Sequence, residues 1–168
     1  MSGWIEFTAA LAAFLASHIV PMRLKGGLVA ALGRRGYVAA FSLLSLGLLY
    51  WLILAAGRAP IVEIWPQQGW MRWLVNIAMP LAFGLGATGG MAGLMAGFAL
   101  WAGAHLVANG DLAHVILFGL MLAYALAGLA RVGRLRVRLT PVRLAVGAVL
   151  WAGAWHLHPA VIGASPMP

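Results

Sequence analysis

The chain has no cysteine and only three side-chain carboxylates, Glu6, Glu63 and Asp111. The first absence excludes disulfides, thiolate catalysis, Cys-ligated zinc and cysteine-held iron–sulfur clusters. A metal would have to use His, Asp, Glu, Met or backbone ligands. Charged residues make up 8% of the 168 positions. A soluble domain carries about 25%, so a soluble reading fails at this step. The sequence has no Walker loop, nucleophile elbow or H-E-x-x-H. Its eight methionines form no M-x-x-M or M-x-M array, which argues against a copper box. There is no basic recognition helix with aromatic interleaving, so nucleic acid is not an expected partner.

What is present is hydrocarbon-compatible sequence, 64% hydrophobic. At about 20 residues per span, this length suits five to seven crossings. The first span is Trp4–Val20, read as an uncleaved anchor because no basic segment precedes it. Arg23, Lys25, Arg34 and Arg35 then form a basic loop. Span two is about Tyr37–Ala56. An outer loop from Arg58 to Arg72 follows, with tryptophans suited to the membrane–water interface. Span three runs from Trp73 to about Gly86 and is expected to break at Pro80. Span four is about Met91–Ala108, with Gly93, Gly97 and Gly103 permitting close helix approach. Span five is Leu112–Ala130, and span six is about Pro141–Leu157.

A second basic block, Arg131, Arg134, Arg136, Arg138 and Arg143, lies between spans five and six. Four spans separate the two blocks, so both fall on one side. The positive-inside rule makes that side cytoplasmic. The expectation is an all-α integral membrane bundle of about six transmembrane helices, one domain over residues 1–168, with both termini non-cytoplasmic. Both blocks read first as topology determinants, and second as binders of anionic lipid headgroups.

The most polar feature inside this apolar background is Ala99–Ala113, ALWAGAHLVANGDLA. An ionisable residue in a span is a functional-site hypothesis by default. Trp101, His105 and Asn109 are four apart and share a helix face. His105 reads either as a ligand of haem or another metal or a proton donor, or as a neutral histidine bonded to a neighbouring helix. Asn109-Gly110-Asp111 reads as a turn in which Gly110 supplies a positive φ and Asp111 caps the helix from Leu112. In a functional version, Asn109 or Asp111 orients the His105 imidazole. His114 could pair with Asp111. His156 and His158 close span six and match His105 best in depth. His18 matches it worse, with roughly 18 Å of depth between them. Glu6 and Glu63 sit near segment ends and are weak candidates. Asn76 reads as interhelical glue.

Three patches resemble the NnrU family of bacterial membrane proteins. They are Ser17-His18 to Leu24 with GRRGYVAAFSLLSLGLL (Gly33–Leu49), then LWAGAHLVANGDLA with Phe118-Gly119, and the tail HPAVIGASP (His158–Pro166). The resemblance implies a multi-pass protein of the bacterial inner membrane, associated with nitric-oxide and nitrite metabolism in denitrifiers. The family is also similar to 15-cis-zeta-carotene isomerase, an integral membrane enzyme that uses haem b. Carried over by motif, His18 and His105 would be the haem ligands, and the substrate would be a small hydrophobic molecule. The sequence departs from the family at Thr88-Gly89-Gly90-Met91, where an Arg-His-Pro is usual. The competing expectation is a cofactor-free accessory subunit that docks onto a larger membrane complex or onto its own copies. A small transporter is a weaker third reading, for want of an inverted repeat.

Overall fold

The computed structural model describes residues 3–132, 134, 136 and 138–167, and for 19–23 the backbone alone. The Arg23 side chain and Pro168 therefore lie outside the described residues. The chain divides into two compact units, Met1–Ile61 and Val62–Pro168.

The first unit is a helical hairpin. Its helical stretch α1, Gly3–Arg58, is interrupted at Gly33, whose φ of 69° and ψ of 163° are non-helical. That combination is essentially restricted to glycine. The two arms, 3–32 and 34–58, fold back on each other. At the open end the Glu6 carboxylate pairs with the Arg58 guanidinium, and the Trp51 indole N–H donates to Glu6 Oε1 at 3.2 Å. Near the bend, the His18 and Phe41 rings meet edge to face at 5.4 Å. Phe7, Ala10 and Phe14 share one buried stripe of the first arm, and Leu52, Ala55 and Ala56 bury the second. The basic segment between the first two spans is thus helix rather than loop, corrected to a single break at Gly33. The first arm also carries Pro21, a helix breaker by residue type, yet the helical backbone continues through it.

The second unit holds four helices in alternating direction: α2 (Gly69–Thr88), α3 (Gly90–Ala108), α4 (Leu112–Val132) and α5 (Pro141–Ile162). Packing runs in the order α4, α3, α2, α5. Pro80 does not break α2, as had been expected; it lies inside a continuous 20-residue helix. Within a membrane, neighbouring groups can compensate for the one backbone donor that proline lacks. Gly97 is where α3 meets α2 most closely: a Cβ there would lie 2.4 Å from the Ala82 carbonyl oxygen. The expected contact at Gly103 is looser, with the Leu122 side chain 4.0 Å away. The α2–α3 turn passes through Gly90 at φ 59°.

Among the described residues there are six helical segments, counting the two arms of the hairpin. Four stretches among the described residues are long and apolar enough to cross a membrane: Leu24–Arg58, Gly90–Ala108, Leu112–Val132 and Pro141–Ile162. The 19 residues of α3 span about 28 Å at 1.5 Å each, close to the ~30 Å of a hydrocarbon core.

The hairpin's dependence on Gly33 is testable. Gly33→Val should destabilise it by about 1–3 kcal/mol, read as a lower unfolding midpoint in detergent with helicity otherwise retained. An unchanged midpoint would show that the bend does not need glycine.

Candidate functional site

The carbonyls at a helix C-terminus have no partner within the helix, and hydrocarbon provides no water to replace one. At the C-terminus of α3, three side chains take over. Asn109 Nδ2 donates to the His105 carbonyl at 2.8 Å. Trp65 Nε1 donates to Val107 O at 3.0 Å, and Gln67 Nε2 to Ala108 O at 2.7 Å. Gln67 is itself held by Arg72, whose Nε donates to Gln67 Oε1 at 3.2 Å.

The segment carrying Trp65 and Gln67 is clamped onto the α3–α4 turn by its backbone. Ile64 N donates to Gly110 O at 2.7 Å, Trp65 N to the same oxygen at 3.1 Å, and Leu112 N to Val62 O at 2.9 Å. Glu63 and Asp111 face each other across this short antiparallel bridge. Gly110 does not adopt the positive φ expected of it; among described residues only Gly33, Gly90 and Gly163 do. Its requirement is space. A Cβ at Gly110 would lie 1.9 Å from the Trp65 carbonyl oxygen.

His105 sits one turn inside this capped end, half-buried. Its Nδ1 lies 2.9 Å from the Trp101 carbonyl oxygen. A carbonyl only accepts, so Nδ1 carries the proton and Nε2 keeps the lone pair. Nε2 has no hydrogen-bond partner among the described residues. Rings surround the imidazole, with Trp101 at 5.3 Å and Phe118 of α4 at 5.2 Å between centroids. Phe98 stacks on Trp101 at 5.2 Å and 7°.

Phe118 also stacks on His114, at 6.0 Å and 25°. His114 pairs with Asp111, its Nδ1 donating to Oδ2 at 2.6 Å. The same carboxylate caps α4 by accepting from the His114 backbone N–H at 3.2 Å. Asn109 and Asp111 therefore flank the His105 end of α3 without bonding to its imidazole. Asn109 engages the His105 backbone, and Asp111 engages His114.

The other predicted histidines are placed as follows. His18, in the first unit, has Nδ1 2.9 Å from Phe14 O and 3.1 Å from Ser17 Oγ, with the Phe14 ring at 4.5 Å. It repeats the tautomer and ring surroundings of His105. His158 donates from Nδ1 to Ala164 O at 2.7 Å, which pins the C-terminal tail. His156 is exposed and meets the edge of Trp155 at 5.0 Å. No hydrogen bond or ring contact joins His156 or His158 to His105 among the described residues. Asn76 is the glue it was expected to be. Its Oδ1 accepts from Trp155 Nε1 at 3.2 Å, and its Nδ2 donates to Pro166 O at 2.7 Å, tying α2 to α5 and the tail.

The sequence reading missed Trp65, Gln67 and Phe118. Trp65 was assigned to an interfacial belt, which suits the exposed Trp70 and Trp73 but not a tryptophan turned in to cap a helix. No local pattern marks it. Among the described residues no three or more His, Asp or Glu side chains converge. The site therefore offers single imidazoles, not a multidentate metal cage.

Long apolar helices, backbone groups satisfied internally and an imidazole set among aromatic rings define a helical membrane protein. Residues 6–166 match the NnrU protein family, and the chain belongs to that family. Neither a curated protein nor a solved structure matches it.

The clamp over α3 can be tested at its tightest point. Gly110→Ala should destabilise the protein by about 1–3 kcal/mol through overpacking. Trp65→Phe, which strands the Val107 carbonyl and removes part of the ring, should cost about 1–3 kcal/mol. Both are read from unfolding midpoints in detergent. Equal, negligible effects would mean that the 62–67 segment does not hold the end of α3.

Proposed function

We propose that this chain is a haem-b-binding protein of the bacterial inner membrane, in which His105 would hold the iron. The observation that carries the reading is the state of that imidazole. Nδ1–H is tied to a carbonyl, the arrangement that fixes a ligating histidine's tautomer and raises its basicity. Nε2 is left with its lone pair and no protein partner, among flat apolar rings. That setting fits a planar apolar macrocycle, which His105 Nε2 would hold and the Trp101 and Phe118 rings would flank. It does not fit a metal needing three or four protein ligands.

His18 has the same Nδ1 arrangement and is the second ligand that the family resemblance implies. His156 and His158 are the alternatives. Asn109 and Asp111 support the site at one remove: one holds the end of α3, the other orients His114 as a nearby proton-handling group. Iron, when bound, supplies a redox or Lewis-acid centre in apolar surroundings. That chemistry is common to nitrogen-oxide handling and to isomerisation of a hydrophobic polyene, the two activities toward which the family points. The arginine-rich end of the second unit faces the cytoplasm in this reading.

Spectra of detergent-purified protein, oxidised and then dithionite-reduced, test the proposal. A Soret band with sharp reduced α and β bands is expected. His105→Ala should lower haem occupancy at least about tenfold, since losing even an outer partner of a metal-bound histidine costs about that much. Single alanine variants at His18, His156 and His158 then identify any partner. Nitric oxide shifting the reduced Soret band, against turnover of a cis-polyene, separates the two activities. Colourless protein from haem-supplemented cells overturns the reading and leaves the accessory-subunit alternative.

A further inference from the structure

The connection from α4 to α5 carries an excess of charge that this protein has no means of neutralising. Arg131, Arg134, Arg136 and Arg138 are all exposed. None has a carboxylate within salt-bridge reach among the described residues, where the only two pairs are Arg58–Glu6 and His114–Asp111. The shortage begins in the composition, with eleven Lys and Arg against three Asp and Glu. It is sharpened by the fold. Asp111 and Glu63 meet across the bridge at the far end of the second unit, a full helix length from the arginines.

The basic connection is also anchored. The carbonyl of Thr88, at the end of α2, accepts from the Arg138 backbone N–H at 2.9 Å and from Arg143 Nη1 at 3.2 Å. Thr88 is buried, at 2% exposure. One fixed point therefore holds the connection against the α2–α3 turn and leaves four guanidiniums facing outward.

Apolar side chains are exposed among these cations: Val132 at 41%, Leu139 at 71% and Val142 at 73%. The sequence alternates Arg134-Leu135-Arg136-Val137-Arg138-Leu139. Both flanking helices are apolar enough to cross a membrane, so the connection lies where hydrocarbon gives way to headgroups. A site for a soluble polyanion would present the cations without the exposed apolar residues between them. A surface that offers bidentate phosphate donors beside apolar anchors matches a lipid, whose phosphate and acyl chain are covalently joined.

We infer that the α4–α5 connection, through Arg134, Arg136 and Arg138 pinned at Thr88, is a binding site for anionic phospholipid headgroups. It is independent of haem binding and holds whether or not the histidines carry iron. The test is native mass spectrometry of the full chain in neutral detergent, titrated with phosphatidylglycerol or phosphatidylcholine. The wild type should bind phosphatidylglycerol preferentially at its tightest site. The triple variant Arg134→Gln, Arg136→Gln, Arg138→Gln should lose that affinity by roughly 100-fold, since each basic residue near an anionic surface contributes about a factor of five. The triple Lys variant keeps the charge and should retain the preference. It also controls for misfolding, with helicity checked by circular dichroism in each case. Wild-type affinity in the triple Gln variant overturns the site. So does equal binding of phosphatidylcholine. Displacement by an equal concentration of inorganic phosphate overturns the lipid assignment in favour of a free anion.

Discussion

Satisfying the backbone at the end of α3 is the constraint on which the second unit depends. A helix that stops inside or near hydrocarbon leaves carbonyls that water cannot reach, each expensive to strand. Here the 62–67 segment supplies an indole N–H and a carboxamide, and Asn109 supplies a second carboxamide. The segment is positioned by three backbone hydrogen bonds to the α3–α4 turn. That close approach in turn demands a residue without a side chain at 110. His105 inherits its position from this chain of requirements, because it lies one turn inside the helix end that they fix.

The broad architecture was legible because it follows from hydropathy and length. Spans four, five and six fall within a few residues of α3, α4 and α5, and the Asp111 cap follows from residue type alone. What was not legible depended on contacts distant in sequence. The basic segment after the first span looked like a loop because it is charged, but helix propensity is little affected by Arg and Lys. Only the backbone conformation at Gly33 marks the bend. Pro80 looked like a breaker because the rule is calibrated on helices in water, where a lost hydrogen bond and a steric clash are not absorbed by close neighbours. Gly110 was rightly singled out for the wrong reason, since a residue that permits positive φ and one that permits contact are the same letter. Within the site, the Asp111 cap and its pairing with His114 are present as residue type suggested. The functional alternative, in which Asn109 or Asp111 orients the imidazole, is not: the Asn109 carboxamide bonds a backbone carbonyl instead.

The scarcity of acidic groups narrows the chemistry further than composition alone suggests. Of three carboxylates, Glu6 closes the hairpin and Asp111 both caps α4 and holds His114. Glu63 joins the short bridge only through its backbone, and its carboxylate is exposed. No two free carboxylates are left to share general acid and base roles, and among the described residues no cluster of His, Asp and Glu is placed to bind a divalent ion. The imidazoles are the remaining reactive groups. Four of the five have Nδ1 beside an oxygen acceptor. That pattern sorts them by what holds the ring. Asp111 holds His114 with a formal charge, a pairing suited to moving a proton. Backbone carbonyls hold His18 and His105 at Nδ1, inside helices and among aromatic rings.

Opposite polarity at the two ends of the second unit follows from the same scarcity. One end concentrates its hydrogen-bonding capacity inward, on helix termini, a bridge and the strapped tail. The other is held at a single carbonyl, that of Thr88, and directs four guanidiniums outward. A protein with so few acids cannot balance that end from its own sequence, and self-repulsion among four arginines opposes the compact connection unless an external anion offsets it. Topology rules account for where such residues are tolerated during insertion. They do not account for a connection fixed to a buried threonine with apolar side chains exposed between the charges. The arrangement is explained if the bilayer supplies the counter-charge, making its headgroups part of what stabilises the folded state.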